Sequence, residues 1–266
     1  MHIDPSSTIS IEDPPGFIVR TELQKAAFDN GFRLDRGLES GWMRFGSTTA
    51  RGDIWMSGAS PTGPWLLSLE RSAVVSEIGI ATHAHTMGPG YATFIFQGLD
   101  SLYSTLSRVY QLAVSLPDAP LQQFSAETQL LPRETEVERF AIERVGHAVF
   151  REALLKYWDG RCPLTGITDL QLLRASHIVP WAECETDALR LDVHNGLLLS
   201  ALWDAVFDSG LSSFADDGTI LVSKALSSAA VEALGLQTTR RLLGLTDSHR
   251  LNMARHRARH GFSSKH

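Results

Sequence analysis

The chain has 266 residues, of which 43% are hydrophobic and 20% are charged, a composition typical of soluble globular proteins. No apolar run approaches the roughly 20 residues that a membrane-spanning helix needs, and the first residues lack a signal-peptide pattern, so we expect a cytoplasmic protein without a membrane partner. The net charge of −6 argues against a protein that coats nucleic acid without selectivity, although it allows a local basic surface. Cys162 and Cys184 form no CxxC pair, which argues against a disulfide framework and a zinc ribbon.

Strand-like and helix-like patterns alternate in the first half of the chain. Thr21 can cap a short helix that ends at Gly31. Four β-like runs follow, at residues 42–46, 53–56, 65–69 and 92–96. Apolar residues at three- and four-residue spacing from 99 to 116 then predict an amphipathic helix that Pro117 stops. We therefore expect residues 1–116 to form an α+β domain.

The second half begins with residues 117–132, where three prolines and mostly polar residues indicate a linker. Thr135 and Glu138 form a capping-box pattern that opens the next helix. The following predicted elements are a strand at 172–179, a long loop, a strand at 195–199, a helix at 200–209, a hairpin at 211–223 and a helix from 246 to 256. Residues 133–266 are interpreted as a second domain, which makes the whole chain α+β.

The order strand, loop, strand, helix contains the residues with catalytic potential. His177 lies on the first strand and can act as a base near neutral pH. Asn195 begins the second strand and could hold the backbone or the imidazole by hydrogen bonds. Asp204 and Asp208 are four residues apart on one helix face, where two carboxylates suit a hard cation such as Mg²⁺ or Mn²⁺.

Each of these features alone also has a structural explanation. A single histidine on a strand is usually a core residue, and a pair of aspartates at helical spacing is usually a solvated face. An Asn-Gly pair usually marks a turn. The combination of all four residues in this order favours a metal-dependent phosphodiester hydrolase.

Four stretches in fixed order resemble the HNH endonuclease family, and more narrowly the branch found among predicted restriction endonucleases. They are Cys162-Pro-Leu-Thr-Gly-Ile167, Leu173-Arg-Ala-Ser-His-Ile-Val-Pro-Trp181, Asn195-Gly-Leu-Leu-Leu-Ser200 and Phe207-Asp208-Ser-Gly210. The resemblance covers roughly residues 135–262. It implies a ββα-metal fold in the C-terminal domain and cleavage of DNA.

The resemblance also assigns roles to individual residues. His177 matches the catalytic base and Asn195 the central asparagine, while Asp204 and Asp208 occupy the positions of two metal-binding histidines in colicin-type members. Ser176 stands before the base, where members of the family often have a metal-binding Asp or His. The resemblance thus implies a divalent metal ion held by Asp204, Asp208 and Ser176, with Mg²⁺ favoured and Mn²⁺ as the alternative.

Several basic residues are candidates for contact with DNA. They are Arg174, Arg190, His194 and Arg257, and each could equally be an ordinary surface or structural residue. His83 and His85 have ligand-like spacing in the first domain, but no third ligand is evident near them.

These observations predict a metal-dependent DNA endonuclease with a restriction-like role in defence. The N-terminal domain would recognise the target DNA or join two copies into a homodimer. The alternative is a non-catalytic DNA-binding or regulatory protein with a degenerate HNH fold, which Ser176 and the absence of histidines from the helix favour.

Overall fold

The computed structural model describes residues 9–78, 88–132, 134–236 and 240–262. The chain divides into two compact units, Met1–Val114 and Ser115–His266. Helices are combined with antiparallel sheets, which confirms the predicted α+β class. No helix in the described ranges is long and apolar enough to cross a bilayer.

A five-stranded antiparallel sheet forms the first unit's centre, with its strands arranged in chain order. The strands are β1 (Leu34–Glu39), β2 (Trp42–Gly46), β3 (Ile54–Gly58), β4 (Trp65–Leu69) and β5 (Ala92–Phe96). The runs predicted at 42–46, 65–69 and 92–96 have these bounds, and the run predicted at 53–56 is shifted toward the C-terminus. β1 was not predicted because all six of its residues are exposed, so it carries no alternation of apolar and polar residues.

Among the described residues, three helices accompany this sheet: α1 (Phe17–Asp29), α2 (Ser72–Ile78) and α3 (Leu99–Ser115). α1 packs against β2 and β3. The prediction that Thr21 caps α1 is wrong, because the helix begins one turn earlier and the Thr21 hydroxyl donates to the carbonyl of Phe17 inside it. α3 agrees with its predicted amphipathic pattern. Its buried residues include Leu102, Leu106, Val109, Leu112 and Ala113.

The interpretation of residues 117–132 as a linker is wrong. Residues Asp118–Thr128 form helix α4, which packs against α5 (Glu136–Tyr157) through the buried side chain of Phe124. Pro117 and Pro120 do not prevent the helix, because they lie at its start, where backbone N–H groups have no partner inside the helix.

The other α-helices and strands of the second unit are built around the β6–β7 pair. In chain order they are β6 (Leu173–His177), α6 (Asp187–Arg190), β7 (Gly196–Ser200), α7 (Ala201–Asp208), β8 (Ser212–Phe214), β9 (Ile220–Val222), α8 (Ser228–Ala233) and α9 (Asp247–Arg259). β6 pairs with β7 and β8 pairs with β9, both in antiparallel fashion. The predicted order of strand, loop, strand and helix is therefore confirmed.

The core of the second unit lies between the β6–β7 pair, α7 and α9. Its largest fully buried side chains include Phe207 and Phe214. Leu197, Leu198 and Leu199 of β7 are all buried, so this strand is covered on both faces. The buried strand fixes the positions of the two segments that leave it: the β6–β7 loop at one end and α7 at the other.

Candidate active site

The register of the β6–β7 pair places the predicted site residues. His177 is the last residue of β6 and lies opposite Gly196, next to Asn195 in the chain. A Cβ atom on Gly196 would lie 2.5 Å from the ring of Phe150, so glycine is required there for the close approach of α5 to β7. Asn195 ends a short 3-10 turn and Gly196 is extended, so the pair does not form the two-residue turn of a hairpin.

The imidazole of His177 is held among aromatic rings and one backbone carbonyl. It stacks on Phe150, with ring centroids 3.8 Å apart, and meets Trp181 and His147 edge-to-face. Its Nε2 lies 2.9 Å from the carbonyl oxygen of Arg190. Because a carbonyl oxygen can only accept, Nε2 carries the proton and Nδ1 of the neutral ring is left with its lone pair.

The protonation state of His177 follows from its surroundings. Burial, with a smaller effect from a positive charge on nearby His147, lowers the pKa of His177 to about 4, although the hydrogen bond to the Arg190 carbonyl acts in the opposite direction. The ring is therefore neutral at pH 7 and can accept a proton.

Asn195 is completely buried and joins two parts of the β6–β7 loop. Its Oδ1 accepts from the backbone N–H of Val179 at 2.8 Å, and its Nδ2 donates to the carbonyls of Val179 and Leu189. No hydrogen bond links it to the His177 ring among the described residues. Asn195 instead fixes Leu189, the neighbour of the Arg190 carbonyl that holds His177, so it acts as a positioning residue.

A second group of predicted residues lies where α7 packs against β6. Arg174 and Ser176 share one face of β6, because side chains alternate along a strand. Burial raises the pKa of Asp204, and the charge of Asp208 raises it further, whereas the Ser176 hydroxyl and the Arg174 guanidinium act in the opposite direction. The structure thus brings Arg174, Ser176, Asp204 and Asp208 together.

This group contains a donor set for a hard cation. The Ser176 hydroxyl is buried and has no hydrogen bond of normal geometry within the described chain. No cluster of three or more His, Cys, Asp or Glu residues with metal-binding geometry occurs in the described ranges. Mg²⁺, however, commonly binds through one or two carboxylates and completes its shell with water and phosphate. Asp204, Asp208 and the hydroxyl of Ser176 therefore fit such an ion.

His177 and the two aspartates lie on different sides of β6. His177 and Ser176 are adjacent on β6, so their side chains leave opposite faces, toward α5 and α7 respectively. No hydrogen bond or pKa effect joins His177 to Asp204 or Asp208 in the part of the chain described. The base and the carboxylates flank the C-terminal end of one strand.

Three predicted DNA contacts have structural partners instead. The guanidinium of Arg190 donates to the carbonyls of Trp181 and Cys184 and pairs with Asp187, so it stabilises the β6–β7 loop. A candidate phosphate contact needs free donors, and each of the three guanidinium nitrogens of Arg190 already makes one bond within its own loop.

His194 and Arg257 point into the protein. His194 is only 8% exposed, its Nδ1 lies 2.8 Å from Asp192, and its ring packs on Tyr157. Arg257 is also 8% exposed and binds the carbonyl of Phe214 and the carboxylate of Asp216. Burial removes both side chains from the surface that DNA could reach.

Two residues beside the site were not predicted to have a role there. His147 on α5 lies with its ring centroid 6.0 Å from that of His177 and 4.5 Å from that of Trp181. Gly146 allows this arrangement, because a Cβ atom there would lie 2.3 Å from the indole of Trp181. The sequence signal for this contact was a glycine in the middle of a helix. Such a glycine destabilises the helix by about 1 kcal/mol relative to alanine and often marks a close packing contact. The predicted His83 and His85 pair lies outside the described residues.

Comparison with known families identifies the segment that carries this geometry. Residues 162–215 match the model of the HNH endonuclease family, HNH_2. No curated protein matches the chain. The matched segment runs from Cys162 through β6, β7 and α7 to the end of β8, and it contains His177, Asn195 and both aspartates. The match supports a nuclease of the HNH type that acts on DNA, and the C-terminal half of this α+β chain contains a domain of the HNH endonuclease family.

Proposed function

We propose that the chain is a metal-dependent DNA endonuclease in which His177 is the general base. The observation that carries this proposal is the hydrogen bond from His177 Nε2 to the Arg190 carbonyl. It leaves Nδ1 as an acceptor on a neutral ring, inside the segment that matches the HNH family.

The protein side of the mechanism follows from these contacts. His177 Nδ1 accepts a proton from the attacking water, and the carbonyl of Arg190 then stabilises the imidazolium through Nε2–H. An incoming phosphate would also favour the protonated ring, because opposite charges stabilise each other. Asn195 keeps the loop, and with it the Arg190 carbonyl, in place.

The proposed cofactor is a divalent ion, with Mg²⁺ favoured over Mn²⁺, held by Asp204, Asp208 and Ser176. When bound, the ion would supply positive charge to the phosphate and the leaving oxygen. Arg174 lies beside these carboxylates with an exposed side chain, and only its Nη1 is engaged, by the carbonyls of Gln171 and Leu173, among the bonds of the described residues. We therefore favour it as the phosphate contact.

The biological role we propose is restriction-like defence in the cytoplasm. The division into two units supports this proposal, because it separates a nuclease unit from a unit free to select DNA or to form a homodimer. Target selection is tested with the full chain, by comparing its cleavage of DNA substrates that differ in sequence or in base modification. Equal cleavage of all these substrates would contradict target selection by residues 1–114.

Incubation of plasmid DNA with Mg²⁺, Mn²⁺ or EDTA tests the metal requirement. We expect cleavage with either ion and none with EDTA. Asp204→Asn and Asp208→Asn should each reduce the rate, whereas Asp217→Asn, which changes an exposed hairpin carboxylate, should not. Cleavage in EDTA would contradict the proposal. DNA binding without cleavage under either ion would favour the alternative, a degenerate HNH protein that only binds DNA.

A further inference from the structure

His147 and Glu143 form a carboxylate–imidazole pair on the surface of α5, outside the segment that matches the HNH family. His147 Nε2 lies 3.4 Å from Glu143 Oε1, and their side chains are 49% and 40% exposed. The carboxylate can only accept, so Nε2 carries a proton toward Glu143. A second proton on Nδ1 would give a cation that Glu143 stabilises.

The position of this pair is fixed by the same helix that supports the proposed base. Phe150 stacks under His177, and His147 lies one helical turn earlier on the same face of α5. Trp181 holds the His147 ring at 4.5 Å on a surface that Gly146 leaves open. The two imidazoles are therefore neighbours with different surroundings, His177 partly buried and His147 exposed.

An open cleft of about 410 Å³ adjoins the pair. Its lining includes Glu143, Trp181, Arg139, Asp187 and Arg190. Asp187 is paired with Arg190 and Glu143 with His147, while Arg139 is exposed and has no ion pair within the described residues. The charges of the lining balance, and Arg139 is the cation left available to a phosphate group, in a cleft whose residues Trp181 and Arg190 contact His177.

We propose that His147 is a further catalytic residue of this nuclease, whose imidazolium donates a charge-assisted hydrogen bond from Nδ1 to a non-bridging oxygen of the scissile phosphate. Glu143 is a positioning residue that orients the ring and supports its charge. This inference rests on the proposed nuclease function. It assigns to α5 a role in binding the phosphodiester that the HNH segment alone does not provide.

The test measures kcat/KM for cleavage of a duplex oligonucleotide with Mg²⁺. Because a hydrogen bond between charged groups is lost, His147→Ala should reduce kcat/KM roughly 10- to 100-fold, and Glu143→Gln should reduce it by a smaller factor. His147→Phe keeps a ring against Trp181 but has no charge, so it should lose as much as His147→Ala. His147→Lys restores a cation and should recover at least about a tenth of the wild-type value.

Matched controls separate this role from a structural one. Glu152→Gln and Lys156→Met change an exposed pair on the same helix, and both should leave kcat/KM within about twofold. In an inactive His177→Ala background, adding His147→Ala should weaken oligonucleotide affinity further. The inference is overturned if His147→Ala or His147→Phe remains within about twofold of wild type while His177→Ala abolishes cleavage. Persistent cleavage in His177→Ala would instead overturn the proposed function.

Discussion

Asn195 illustrates how a residue of a catalytic motif can act without touching the reacting atoms. Its amide makes hydrogen bonds to Val179 at the start of the β6–β7 loop and to Leu189 of α6 within it, and Asn195 is completely buried. Asn195→Ala should lower the free energy of unfolding by about 2–4 kcal/mol, because buried loop groups lose their partners. Urea denaturation measures this loss. Asn252→Ala removes a single hydrogen bond to His194 and should cost less; an equal or larger cost would contradict this account.

Arg174 and Arg257 should differ in what their removal affects. Arg174→Ala should weaken DNA binding by the inactive His177→Ala variant and lower the salt-dependence slope by about one, with little change in stability. Arg257→Ala should destabilise the second unit, since its guanidinium binds Asp216 and a buried carbonyl. Affinity titrations at several salt concentrations and thermal melts distinguish the two. If Arg174→Ala instead lowered the melting temperature and left DNA affinity unchanged, Arg174 would be a structural residue.

The sequence could not distinguish these two arginines. The partner of Arg257 is 41 positions away, and its other contact is a backbone carbonyl, which leaves no trace in residue identity. The same holds for Arg190, whose partners are mostly loop carbonyls. His177, Asn195, Asp204 and Asp208 could be singled out because a strand, a loop and a helix present them at characteristic offsets, although their contacts needed the fold.

At the scale of elements, prediction succeeded where burial imposes a period. α3 shows the three- and four-residue spacing of a half-buried helix. β1 has an exposed edge and no such pattern, and α4 was hidden by prolines that a helix accepts in its first turn. The contact between α5 and Trp181 joins segments that are distant in the chain, so it could not be predicted from the sequence. Only the presence of Gly146 in a helix hinted at it.

Gly146→Ala tests that contact. The change would normally stabilise a helix by about 1 kcal/mol, but here the new methyl group would meet the Trp181 ring. We expect a net loss of about 1–3 kcal/mol, as for other overpacked sites, together with reduced cleavage. In the double variant Gly146→Ala, Trp181→Leu, the added cost of the alanine should shrink. Stabilisation by Gly146→Ala alone, measured by thermal unfolding, would contradict the packing described.

At the scale of the whole molecule, buried neutral histidines should make stability depend on pH. Burial lowers the pKa of His256 to about 4, below its ordinary value of 6.5. Between these two pH values the unfolded chain binds more protons than the folded chain does. The free energy of unfolding should therefore fall as the pH decreases from 6.5 to 4, and the contribution of His256 should be constant above pH 6.5. The contribution is on the order of 2 kcal/mol.

His256→Gln removes this titration and should flatten the pH dependence over that interval. Denaturation of both proteins at several pH values measures the difference. An unchanged slope would show that His256 does not contribute.

The central claim concerns the proton acceptor, and it is tested most directly by the single-turnover rate of DNA cleavage in wild type and His177→Ala at saturating Mg²⁺. Loss of a general base should reduce the rate at least about 100-fold. DNA affinity should remain close to wild type, and the variant should still unfold cooperatively although loss of the packed ring lowers its thermal stability, which separates catalysis from folding. A His177→Ala rate within about tenfold of wild type would contradict the assignment.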